Sequence, residues 1–174
     1  MTIKLNKSEV HFLRTLASTR SFFNRNNNTL DQKFASNKSG FEIDFDGCLS
    51  EYAFCKWHNI HFGLSLGDDT AGQPDCVYKN LIIDIKSTRL PQGRMIVKLN
   101  PQPMDMYVLA IVENDYTIRF AGYARSEDVK KNENIRNLGT GDSYVLEQDQ
   151  LLRFTQKKLR RHSSTIRRKV SYSK

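Results

Sequence analysis

Residues Pro74–Lys86, Pro-Asp-Cys-Val-Tyr-Lys-Asn-Leu-Ile-Ile-Asp-Ile-Lys, constrain what this chain can fold into more than any other stretch. Two short apolar runs, Cys76–Tyr78 and Leu81–Ile83, flank Lys79-Asn80, which is the pattern of a tight β-hairpin. Asn80 tolerates the positive φ that such turns need. Asp75 enters the first run and Asp84 leaves the second. Equally distant positions face each other across a two-residue turn, so the ribbon delivers two carboxylates to one end. Lys86 lies two residues past Asp84, and the strand period puts both on one face.

Two facing carboxylates repel unless something positive sits between them. Oxygen ligands of this kind suit Mg²⁺, which takes one or two carboxylates and completes its shell with water and substrate phosphate. A lysine on the same face can orient or deprotonate an attacking water, or hold a phosphate as a point charge. The alternative is that both acids only bracket a hairpin and Lys86 is a solvated charge.

Pro74-Asp75, eight intervening residues and Asp84-Ile85-Lys86 resemble the signature of the PD-(D/E)XK nuclease superfamily, the restriction-endonuclease-like phosphodiesterases. Upstream, Gly47-Cys-Leu-Ser-Glu51-Tyr-Ala-Phe-Cys-Lys-Trp57 resembles the Glu-bearing helix that precedes the signature in many members. The resemblance spans residues 45 to 125. The element order, helix, hairpin, strand, strand, helix, suits an α/β fold with a single mixed β-sheet flanked by helices, which the resemblance makes restriction-endonuclease-like. The resemblance also implies a metal-dependent nuclease in which Glu51, Asp75, Asp84 and the Ile85 carbonyl hold Mg²⁺ (Mn²⁺ as substitute) and Lys86 positions the water. By the same analogy the expected assembly is a homodimer that cuts both strands.

At 174 residues the chain is long enough to bury a substantial core as one domain. No apolar run approaches a membrane span, and Met1–Leu5 does not open a signal peptide. Three cysteines, Cys48, Cys55 and Cys76, cannot pair off completely, so a reducing, cytoplasmic setting is expected. With His58 and His61 they lack the paired spacing of a structural zinc site. Of the 27 Lys and Arg, eight fall in residues 157–174, a stretch without an acid; the rest of the chain balances its 19 acidic residues. The net charge of +8 therefore resides in a basic C-terminal tail. Lys157, Lys158, Arg160, Arg161, Arg167, Arg168 and Lys169 would neutralise DNA phosphates as counterions leave. The alternatives are a solubilising segment or attachment to an anionic membrane surface.

Three parts are expected: an N-terminal helical arm (1–40), a nuclease core (41–156) and the tail (157–174). Asn6 and Glu9 read as a capping box for a helix from about Lys7 to Ser18. Thr29–Asn37 reads as a second short helix, and Phe41–Phe45 alternates as a short strand would. The Glu51 helix is apolar nearly all round, so its carboxylate needs a partner. His61–Leu66 is strand-like and Gly67–Gln73 is a polar loop. Ser87, Thr88 and Arg89 fall at the mouth of the site, able to donate to phosphate, and Leu90–Pro103 reads as an irregular basic loop carrying Arg94 and Lys98. Met106–Val112 is a buried strand paired with Thr117–Tyr123, with a bend at Gly122. Ser126 caps a short helix, Tyr144–Leu146 is a further strand, and Gln148–Leu159 reads as a helix.

The leading expectation is a Mg²⁺-dependent DNA endonuclease, phage- or intron-encoded, of homing or junction-resolving type. A catalytically inactive DNA-binding protein that keeps the same fold is the rival.

Overall fold

The computed structural model describes residues 1–26, 38–64, 74–139 and 141–154. Strand β1 (Thr2–Lys4) leads into helix α1 (Lys7–Asn26). The Asn6 side chain accepts from the Glu9 amide at 2.9 Å, and Glu9 returns the bond to the Asn6 amide at 2.8 Å. This reciprocal cap starts the helix where the sequence places it. The helix runs past the expected Ser18, and its buried stripe of Val10, Leu13, Leu16 and Ala17 packs on α2 (Gly40–His58).

Helix α2 absorbs the strand expected over Phe41–Phe45. Ser39 and Glu42 form a second capping box, and that local cap outweighs five residues of alternation. Asn59 ends the helix in the left-handed conformation, donating its N–H to Cys55 and Lys56 carbonyls.

The hairpin strands β2 (Cys76–Tyr78) and β3 (Leu81–Thr88) follow, then β4 (Met95–Lys98), β5 (Met106–Val112) and β6 (Thr117–Arg125). After them come the four-residue helix α3 (Ser126–Val129), β7 (Ile135–Asn137) and β8 (Asp142–Leu146). The five-stranded main sheet has the order β1-β6-β5-β3-β2; β3 and β5 are parallel and the other pairs antiparallel. The single sheet expected is thus two, since β4, β8 and β7 form a separate three-stranded antiparallel sheet.

Every residue of β5 is buried, because both faces of the main sheet are covered. On one face Ile83, Ile85, Val108, Ala110 and Val112 meet Leu49, Ala53 and Phe54 of α2. On the other, Tyr107, Leu109 and Ile111 meet Met95, Val97 and Leu146 of the small sheet. The result is three layers, helices over sheet over sheet. The N-terminal segment is part of this body: β1 pairs with β6, and Leu5, Leu13 and Ala17 belong to the core.

Several expectations change in detail. Leu90–Pro103 contains β4, whose Met95 and Val97 alternate inward. Ser126 is the first residue of α3 rather than its cap; Arg125 holds the cap position and makes no side-chain bond there. Residues 148–150 form a 3-10 turn, and Leu152 then bridges Tyr123, so no helix begins at Gln148. Residues 61–64 carry no strand. The register of β5 and β6 slips between Leu109 and Ala110, leaving Ala121 as an extra residue beside Gly122. A Cβ at Gly122 would sit 2.7 Å from Leu151 Cβ and 2.9 Å from the Leu152 carbonyl, so only glycine lets the bridging segment lie this close. The helix expected over Thr29–Asn37, the Gly67–Gln73 loop and the basic tail lie outside the described residues.

Candidate functional site

Lys79 and Asn80 both have positive φ, 53° and 64°, as a type I′ turn requires. Tyr78 pairs with Leu81 and Cys76 with Ile83, the register read from the sequence. Strand β2 stops at Cys76 while β3 continues to Thr88. Beyond that point no strand among the described residues pairs with this side of β3. Asp75 turns into the opening, and its Oδ2 accepts the Ile85 amide at 2.5 Å. The N–H and C=O of a strand residue leave on the same edge, so the Ile85 carbonyl opens toward Asp75 as well.

The Asp75 carboxyl is pushed well above the usual carboxylate range by desolvation first, then by the charges of Glu51 and Asp84; the Ile85 amide and Lys86 oppose this. Asp75, at the β2 entry, therefore feels an acid from α2 and another from β3. Asp84 and Lys86 do share a face, with Nζ 2.7 Å from Oδ2. In the parallel register Asp84 sits beside Tyr107 of β5. The Tyr107 hydroxyl is pushed up to about 12 by burial and then by Asp84.

Glu51 has a partner that the sequence did not disclose. Arg20, near the end of α1, places Nη1 2.9 Å from Glu51 Oε2 and 3.4 Å from Cys48 Sγ. The side chains of Arg20 and Glu51 are 20% and 14% exposed, so the pair is largely shielded from water. Asp75 also acts on Arg20.

The expected phosphate contacts divide. Arg89 is committed elsewhere: Nε lies 3.0 Å from both Asp46 oxygens and Nη2 2.6 Å from Oδ1. Asp46, only 2% exposed on α2, also takes Lys38 Nζ at 2.7 Å. This cluster clamps the end of β3 to α2, so Arg89 faces the protein rather than a ligand. Arg94 lies 3.6 Å from Glu147, both well exposed, while Ser87 is half-buried and Lys98 exposed. The cysteines and His58 belong to packing. Cys55 and Cys76 thiols hydrogen-bond between α2 and β2. The His58 ring lies 4.3 Å from both Trp57 and Tyr78, and burial lowers its pKa to about 4.

Among the described residues no three His, Cys, Asp or Glu side chains are already disposed as metal ligands. Glu51 is turned to Arg20 and Asp84 to Lys86. The donor set itself suits Mg²⁺ or Mn²⁺: it is all oxygen, carries three acids, and includes a desolvated carboxyl raised by its acidic neighbours. No family model, curated protein or solved structure matches the chain.

Proposed function

We propose that the chain is a metal-dependent DNA endonuclease, with Glu51, Asp75, Asp84 and the Ile85 carbonyl holding the ion. The observation that carries this reading is the placement of Asp75 on the Ile85 amide at the open edge of β3, where Glu51 and Asp84 both push its carboxyl upward. A divalent ion bound there would lower the pKa of its water and offset charge on the scissile phosphate. The chain's own residues do the rest. Ile85 N–H fixes the rotamer of Asp75, and burial of that side chain excludes bulk water from one side of the site. Lys86, freed from Asp84, orients the attacking water and steadies the developing negative charge. Lys98 and the basic tail carry the backbone grip, in which Arg89 has no part while bound to Asp46. A homodimer and a phage- or intron-encoded, homing or junction-resolving role remain part of this proposal by analogy. No helix among the described residues is long and apolar enough to cross a membrane.

The test is nicking of supercoiled plasmid with Mg²⁺ or Mn²⁺, with and without EDTA. Asp84→Ala and Lys86→Ala should each lower the rate by at least about 10²-fold while circular dichroism shows a folded chain. The pairing of both Glu51 and Asp84 with cations favours one rival, a DNA-binding protein that has kept the architecture without the reaction. Folded protein that binds DNA but never nicks it under either ion would establish that rival.

A further inference from the structure

Arg20 is the charged group of this site that the chemistry above leaves unused. It reaches the acids from α1, an element outside the resemblance, and it is the cation that balances Glu51. Nη1 serves both Glu51 and Cys48, whereas Nε is buried with no hydrogen-bond partner among the described residues. A desolvated N–H left unsatisfied is costly, and native structures keep few of them. A guanidinium is also a rigid fork that matches the oxygens of a phosphate bidentately.

The charge around Arg20 differs between two states of the proposed enzyme. Without an ion, Arg20 offsets Glu51 and acts on Asp75. With a divalent cation among the same carboxylates, its positive charge becomes surplus, and an anionic group beside the ion becomes its natural partner. We propose that Arg20 is a displaceable counter-ion: it holds Glu51 until a divalent cation arrives, and its guanidinium then binds the substrate phosphate beside that cation. This inference rests on the metal-nuclease reading. It makes α1 a contributor to the site, and it makes metal entry and phosphate binding two stages of one exchange of partners.

Two measurements test it. Calorimetric titration of Mn²⁺ into DNA-free protein should show Arg20→Gln binding the ion about tenfold more tightly, because a competing positive charge next to a ligand has gone. An arginine whose only duty is to order Glu51 predicts the opposite, weaker binding. Duplex DNA binding is then measured with Mg²⁺ against salt in the non-cleaving Lys86→Ala background. Adding Arg20→Gln should reduce the slope of log K against log salt by about one phosphate contact. Arg20→Lys keeps the charge and should keep both the metal affinity and the slope near the starting values, with weaker DNA binding.

Metal affinity that falls or stays constant in Arg20→Gln, or a slope that does not change, overturns the role of Arg20. Should Arg20→Gln fail to fold, loss of metal affinity or of slope in Arg20→Lys overturns it equally. Starting protein that binds neither Mn²⁺ nor DNA removes the nuclease reading together with this inference. Starting protein that binds both, with the Arg20 results reversed, removes this inference alone.

Discussion

Replacing Asp75 with asparagine should stabilise the metal-free protein, although it weakens the hydrogen bond from the Ile85 amide. Asp75 lies close enough to Asp84 and Glu51 for both charges to act on it, and two unit charges about 5–6 Å apart repel by about 3 kcal/mol at an effective dielectric of 20. Lys86 and Arg20 offset part of that repulsion. Asparagine keeps an oxygen for the Ile85 amide, but the bond loses its ionic character at a cost of about 1 kcal/mol. The net expectation is a gain of about 1–2 kcal/mol, or about 3–6 °C in Tm for a chain of this size. Thermal melts in EDTA by circular dichroism give the number. The sign with pH follows from the raised Asp75 pKa: the folded state holds this proton more tightly than the unfolded state, so wild-type stability falls as pH rises from the ordinary carboxylate value, about 3.9, to the raised one. The advantage of Asp75→Asn is therefore full at alkaline pH and closes as pH approaches about 4. Saturating Mg²⁺ reverses the order, since an ion at a hundred times its Kd adds about 2.7 kcal/mol to a protein that binds it, and Asp75→Asn binds it poorly. An Asp75→Asn protein that melts lower in EDTA at alkaline pH, or a difference indifferent to both pH and Mg²⁺, would refute the carboxylate-crowding argument.

Asp46→Ala strands Arg89 and Lys38 beside α2; both cations are about one-third exposed and partly rehydrate, so urea unfolding should report a loss of about 1–3 kcal/mol, below the cost of breaking a fully buried pair. Gly122→Ala forces a methyl against Leu151 and the Leu152 carbonyl, and a loss of about 1–3 kcal/mol in the same assay is expected, with no loss falsifying the close approach. Removing residues 157–174 should flatten the salt dependence of DNA affinity, because up to eight cations leave with them; an unchanged slope would assign the DNA grip to the body of the protein.

The hairpin was legible because turn chemistry and strand period agree over a dozen residues. Asp84 and Lys86 share a face as the strand period requires, and both act on Asp75, which lies just past the end of the β2 ladder. Met106–Val112 was legible for the same reason, an unbroken apolar run between turn signals. Phe41–Phe45 misled because five alternating residues also fit a helix whose cap lies just upstream. Arg20 was missed because the helix had been ended at Ser18. The signal was present: Leu13 and Ala17 are buried, and the next position on that stripe is Arg20, a charge where an apolar residue was due. The small sheet was hidden for a different reason. Its strands are three to five residues long and β4 lies far in sequence from β8, so β4 finds β8 only through burial of Met95 and Val97 against the main sheet. Asp46, one residue past the alternating stretch Phe41–Phe45, gave no sign that it would anchor Arg89.

The two-residue reversal at Lys79-Asn80 also governs where Asp75, four residues before it, comes to lie. Side chains along a strand swap sides at every step, so one residue added to or lost from that reversal would slip β2 against β3, which its parallel ladder to β5 holds in place, and turn Cys76 out of the core. It would also withdraw Asp75 from the amide it caps. The count of residues in this loop is therefore under tighter restraint than their identity, and the placement of Asp75 depends on a spacer outside its own hydrogen bond.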